Sequence, residues 1–188
     1  MDEQVRALLQ DADEKMKQAV QAARRELAAI RTGRASPSLL DRVQVDYYGT
    51  LLPVNQLATV TVPEARLLVI QPWDKNAVKL IEKAILKSDL GLTPTSDGAV
   101  LRIQVPPLTE ERRKELARLA RKEAEDKRVA IRNVRRDVND AIKKLEKDGQ
   151  LSEDDSRRAQ TQVQELTDRY IKEIDDLLAA KEKEILEV

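Results

Sequence analysis

The chain has no cysteine, no histidine and no phenylalanine. Without Cys there can be no disulfide, thiolate nucleophile or thiolate metal site, and without His the usual imidazole base and zinc ligand are missing too. Most hydrolytic mechanisms therefore lose their commonest parts. Aromatics are 2% of the residues, with a single Trp73 and three Tyr, so any core must be aliphatic. No stretch approaches the roughly 18 successive apolar residues that a membrane-spanning helix needs. Met1-Asp2-Glu3 opens acidic, unlike the basic start of a signal peptide. A soluble, cytoplasmic protein with no cofactor and no membrane partner is expected.

What is present points to helices. Of 188 residues, 41% are apolar and 36% charged, a mix rich in Ala, Leu, Glu, Lys and Arg that suits long helices and bundles. The length allows one large domain or two small ones. From about residue 3 to residue 30, Leu9, Ala12, Met16, Val20, Ala23, Leu27 and Ile30 recur at steps of three or four. The pattern stops at Arg31-Thr32-Gly33-Arg34-Ala35-Ser36-Pro37, where Gly33 permits non-helical angles and Pro37 pushes Ser36 out of the helical region. Gly33 is read as a helix stop and not as a phosphate loop, since no GK[ST] follows.

Residues 38–105 are richer in β-branched residues and turns. Strands are expected around Val43–Tyr48, Ala58–Val62, Leu67–Ile70 and Val100–Val105, with a helix capped by Asp74 running to about Lys87. Trp73 and the Tyr47-Tyr48 pair are assigned to packing within this region, with base stacking as the alternative. Pro106-Pro107 ends the last strand. Thr109-Glu110-Glu111 then starts a long helix with the seam Leu116, Ala120, Ala124, Ile131, Val134, Val138, Ala141 or Ile142, and Leu145. A third long helix begins at Ser152-Glu153-Asp154-Asp155 and continues through Val163, Leu166, Tyr170, Ile174, Leu177 and Leu178 towards Ile185.

The expected fold is thus α+β with two domains: an antiparallel three-helix bundle from 1–30 and 106–188, and a small inserted α+β (β/α/β) domain from 31–105. The two connections, Arg31, Thr32, Gly33 and Arg34 on one side and Val105, Pro106 and Pro107 on the other, are hinge candidates, because a few terminal residues can absorb a change in backbone angle.

The neutral net charge hides segregation. Residues 112–144 hold 13 basic against 6 acidic residues, net +7, and residues 146–188 hold 7 against 13, net −6. On a wheel of about 100° per residue with Ile131 at zero, Arg135, Arg128, Arg121, Arg132, Lys114, Lys143, Arg118 and Arg136 fall between about 40° and 140°. Glu125 is the sole acid in that sector. Such a stripe suits an RNA backbone, where each phosphate contact releases counterions, and arginine favours bidentate contacts. A merely solvated bundle face is the other reading. The carboxylates of the third helix lack a companion nucleophile and are read as structural.

Several segments together resemble one family. Arg31-Thr32-Gly33-Arg34-Ala35-Ser36-Pro37, Asp46-Tyr47-Tyr48-Gly49-Thr50, Pro72-Trp73-Asp74, Ser88-Asp89-Leu90-Gly91-Leu92, Pro106 through Arg113 and Val134-Arg135-Arg136-Asp137 are similar, in order and over essentially the whole chain, to bacterial ribosome recycling factor. The resemblance implies an L-shaped molecule that performs no bond chemistry. It implies binding to large-subunit ribosomal RNA at the subunit interface and, with elongation factor G and GTP, splitting of the post-termination ribosome so that mRNA and deacylated tRNA leave. The bundle would lie along the RNA, and elongation factor G would push the smaller domain. The family's RNA contacts fall on Arg132, Arg135 and Arg113, with Arg128, Arg136 and the loop residues Arg31 and Arg34 secondary. Arg113 lies near the seam phase, so its assignment rests on the resemblance. A monomer is expected; the competing reading is a coiled-coil scaffold whose charged faces pair between subunits.

Overall fold

The computed structural model describes residues 3–187. The chain divides into two compact units, Met1–Arg31 with Glu110–Val188, and Thr32–Thr109.

The first unit is a bundle of α1 (Glu3–Ala28), α3 (Glu110–Lys147) and α4 (Glu153–Leu186), while α2 (Ala77–Lys87) belongs to the other unit. Two buried clusters form its axis. Val5 and Ala12 meet Val138, Ile142, Leu151, Ala159 and Val163; further along, Met16, Val20 and Ala23 meet Ala124, Ile131, Tyr170 and Ile174. Ascending residues of α1 and α4 therefore pair with descending residues of α3, an up-down-up arrangement. The seam follows the helical period expected, and Ile142 fills the place that the sequence left between Ala141 and Ile142. Ser152 caps α4, its side chain accepting from Asp155 N, and supplies one of the helix's orphan donors with an acceptor. One seam position is unusual. Lys181 is 7% exposed and reaches Glu184 at 3.4 Å, so its methylenes fill the seam while the ammonium finds a partner. Among the described residues no helix is long and apolar enough to cross a membrane.

The second unit contains a hairpin of β1 (Gln44–Tyr47) and β2 (Thr50–Pro53). It also holds an antiparallel sheet of β3 (Ala58–Glu64), β4 (Leu67–Pro72), β5 (Pro94–Ser96) and β6 (Leu101–Gln104) in the order β3-β4-β6-β5, together with α2 (Ala77–Lys87). Alternation sets the faces: Leu101 and Ile103 are fully buried while Arg102 and Gln104 point out. With Leu68, Ile70, Ile81 and Ile85 they make the core. Pro63 lies in edge strand β3, where its missing N–H costs no ladder bond, and the register shifts between Thr61 and Glu64 beside it. The expected four strands are joined by two more, β2 and β5, which carry little pattern of their own.

Two local expectations are corrected. Asp74 does not sit at the helix cap. Its side chain accepts from Asn76 N at 3.0 Å and its carbonyl from Ala77 N at 2.9 Å, a turn that delays α2 to Ala77. Of the aromatics in this unit only Tyr47 packs against the core, its hydroxyl donating to Asp74 at 3.0 Å. Tyr48 is 72% and Trp73 65% exposed, because Tyr48 occupies the hairpin turn and Trp73 follows the last inward position of β4.

The chain segments entering and leaving this unit are both fastened to the turn between β3 and β4. Ala35 N donates to Ala65 O and Val105 N to Arg66 O, each at 2.8 Å. Gly33 adopts φ +79, and a Cβ there would lie 3.1 Å from Leu108 Cγ, so glycine answers both a left-handed backbone and a close approach.

Candidate RNA-binding interface

The cationic side of α3 resolves into rows spaced seven residues apart, each two helical turns long. Arg121, Arg128 and Arg135 form the row nearest α4, and the acids Glu182, Asp175 and Asp168 recur on α4 at the same interval in the opposite direction. Antiparallel packing sets these series against each other. Arg121 Nε donates to Glu182 Oε1 at 3.2 Å, and Arg128 Nε to Asp175 Oδ1 at 2.7 Å. The third rung breaks the pattern. Arg135 Nη1 reaches only the amide oxygen of Gln164, at 3.3 Å, while the amide nitrogen of Gln164 donates to Asp168 at 2.8 Å. A neutral amide thus stands between Arg135 and the acid of its rung. Among the described residues Arg135, which is half-buried, has no ion-pair partner, so its charge is not neutralised within the bundle.

A second row holds Arg118, Glu125 and Arg132. Glu125 accepts from Arg132 Nη1 at 3.0 Å and from Arg128 Nη1 at 3.1 Å. These two guanidinia, Arg132 first, hold its carboxyl below the usual range. Arg128 is 17% exposed; burial opposes its charge, and Asp175 with Glu125 more than restores it. Arg136 is well exposed, with a loose 3.8 Å contact to Asp137.

The predicted residues therefore differ in what they can offer a polyanion. Arg132 and Arg136 are exposed and Arg135 is half-buried, and the three lie within about one helical turn. Arg113, near the seam phase by the wheel, lines a surface cleft with Lys114, Arg118, Arg121, Leu186 and one acid, Glu110, so the stripe and Arg113 share one mainly basic concavity at the start of α3. Arg128 faces α4 and is tied on two sides. Arg118, present in the stripe but not singled out by the resemblance, has no ion-pair partner among the described residues. Its availability could have been read by pairing the sevenfold series of α3 with that of α4, since no acid of α4 falls in its row. The hinge candidates Arg31, Thr32, Gly33, Arg34, Val105, Pro106 and Pro107 contribute no part of this stripe. Thr32 and Val105 are buried.

Nothing in this arrangement assembles a nucleophile with a base, and among the described residues no group of acids is placed to hold a metal ion. What the face can do is bind. It offers planar, permanently charged donors on a rigid helix whose 38 residues extend about 57 Å.

Comparison with known proteins agrees over the whole length. The sequence profile described as ribosome recycling factor matches residues 23–186. The ribosome-recycling factor of Carboxydothermus hydrogenoformans is 59% identical over 184 residues, covering 98% of this chain and 100% of the relative. That of Halalkalibacterium halodurans is 60% identical over 181 residues, 96% and 98% of the two chains. A solution structure of the ribosome recycling factor superposes with TM-score 0.80 at 48% identity, covering 100% of both chains. A second structural relative is described as the T. thermophilus ribosome recycling factor and the E. coli elongation factor G bound to the E. coli post-termination complex. It has TM-score 0.65 at 50% identity and covers 97% of this chain and 99% of its own. Long α-helical bundle, inserted α+β unit, sequence profile and full-length relatives converge: the chain belongs to the ribosome recycling factor family.

Proposed function

We propose that the α3 face bearing Arg113, Arg118, Arg132, Arg135 and Arg136 binds large-subunit ribosomal RNA at the subunit interface, and that with elongation factor G and GTP this binding splits the post-termination ribosome. As a family member the chain is a translation factor, not an enzyme. The observation that carries the RNA reading is the broken third rung. Two arginines of a regular row are neutralised by α4, and Arg135 is left charged beside a neutral Gln164. A face meant only for solvation gains nothing from that exception, whereas a phosphate ligand gains an undiminished cation. The structural relative described with elongation factor G on a post-termination complex supports the choice of partner.

Arg128 takes a different role in this reading: it fastens α3 to α4 and leaves RNA contact to its neighbours. The residues Arg31 to Arg34 and Val105 to Pro107 act as the hinge. The factor works in the cytoplasm as a monomer, because the charge complementarity that a scaffold would use between subunits is spent inside the bundle on the Arg121–Glu182 and Arg128–Asp175 pairs.

The test is a subunit-splitting assay on post-termination ribosomes with elongation factor G and GTP. The parent should split them, and Arg135→Ala should split them more slowly, with the slope of ribosome binding against salt reduced by about one unit. No splitting by the parent would overturn the function, and equal binding of the two proteins at every salt concentration would remove Arg135 from the site.

A further inference from the structure

Between residues 112 and 144 Glu125 is the one carboxylate in the cationic sector, and it occupies the place in the Arg118–Glu125–Arg132 row where the pattern calls for another cation. Both of its oxygens are engaged, Oε1 with Arg132 at 3.0 Å and Oε2 with Arg128 at 3.1 Å. The two arginines are not equivalent. Arg128 is 17% exposed and is gripped from its other side by Asp175 at 2.7 Å. Arg132 is 44% exposed, and Glu125 is its only ion-pair partner among the described residues. Glu125 is therefore moored by one fixed arginine while it occupies the donors of another that faces solvent.

A carboxylate seated against a guanidinium presents the same acceptor chemistry as a phosphate. We propose that Glu125 is an internal competitor for the RNA phosphate that Arg132 binds, held in place by Arg128 and relinquished by Arg132 when RNA docks. This rests on the RNA-binding reading given above and deepens it. The mooring makes the exchange clean. When Arg132 turns to a phosphate, Glu125 keeps Arg128, and Arg128 keeps Asp175, so no ionised group loses all its partners. The carboxyl is held below its ordinary range by the same two arginines, so it stays ionised and competes at neutral pH. The consequence is moderated affinity: a cation that must first leave an internal partner binds less tightly and departs faster, which suits a factor that must come off the large subunit after each round.

The test compares parent, Glu125→Gln, Glu125→Ala, Arg132→Ala, Arg135→Ala and the double variant Glu125→Gln/Arg132→Ala for binding to purified large ribosomal subunits across a salt titration. Thermal unfolding by circular dichroism confirms that each is folded. Both Glu125 variants should bind about two- to fivefold tighter than the parent, dissociate more slowly by a similar factor, and show a salt slope steeper by about one unit. In the Arg132→Ala background the gain should disappear. Glu125 variants that bind no tighter than the parent overturn the inference. So does a gain that persists without Arg132, which would reflect net charge alone. If Arg132→Ala and Arg135→Ala both weaken binding while the Glu125 variants gain nothing, the RNA reading stands and only the competitor falls. If neither arginine variant weakens binding, the RNA reading falls and this inference falls with it.

Discussion

Arginines of one stripe are separated by what each touches. Arg128 is mostly enclosed between Glu125 and Asp175, so truncating it strips two carboxylates of a shared partner and removes buried methylenes. Arg128→Ala should lower stability by roughly 1–2 kcal/mol. Arg135→Ala loses one long hydrogen bond to a neutral amide and should stay within about 0.5 kcal/mol of the parent. Urea unfolding monitored by circular dichroism distinguishes them, and a reversed order would mean that the row of ion pairs does not fasten the helices. Gly33 sets a second limit at this scale. Gly33→Ala imposes a left-handed backbone on an L side chain and presses a methyl against Leu108, 3.1 Å away, so a loss of about 1–2 kcal/mol is expected. An unchanged unfolding midpoint would show that the backbone relaxes there freely.

Among the elements, the loop from β5 to β6 owes its shape to one acid. Asp97 accepts from the backbone N–H of Ala99 and of Val100 and pairs with Arg102 at 2.9 Å, and these contacts, the backbone bonds foremost, hold its carboxyl below the usual range. A carboxyl depressed on folding contributes stability above its unfolded pKa and loses it as pH falls through the folded value. Asp97→Asn should therefore lower stability at neutral pH and leave it nearly unchanged in acid, which flattens the acid side of the profile. A profile of unchanged steepness between neutral and acidic pH would place the linkage elsewhere.

Elements also differ in how plainly the sequence announces them. The helices were readable because their apolar residues recur at the helical period and because Ser152 provides a visible start. β6 was readable from the alternation of Leu101, Arg102, Ile103 and Gln104. β2 and β5 were not. Thr50–Pro53 and Pro94–Ser96 are short, carry no alternation, and become strands only because β1 and β6 lend them partners. The basic stripe could be drawn on a wheel, but a wheel shows one helix alone. That Arg128 turns inward to Asp175 while Arg135 meets Gln164 depends on which residues of α4 lie opposite, and this follows from packing.

For the molecule as a whole, the buried clusters divide cleanly. The core around Leu68, Ile70, Ile81 and Ile103 lies within Thr32–Thr109, and those around Ile142 and Ile131 lie within the bundle. The entering and leaving segments of the inserted unit are both hydrogen-bonded to its own Ala65-Arg66 turn, which closes its chain ends together. A fragment of residues 32–109 should therefore unfold in one cooperative thermal transition, and a gradual, non-cooperative loss of ellipticity would contradict this. Division of the cores also divides the optics. The chain's single indole, Trp73, lies on the surface of the inserted unit with its Nε1 donating to Thr59, while Tyr170, fixed by Asp13, is the only phenol in the bundle. Selective excitation of tryptophan consequently reads one unit alone. A partner that covers that corner shifts the emission to the blue, and one that docks on the bundle leaves it where it was, so the unlabelled protein reports which of its two halves has been engaged.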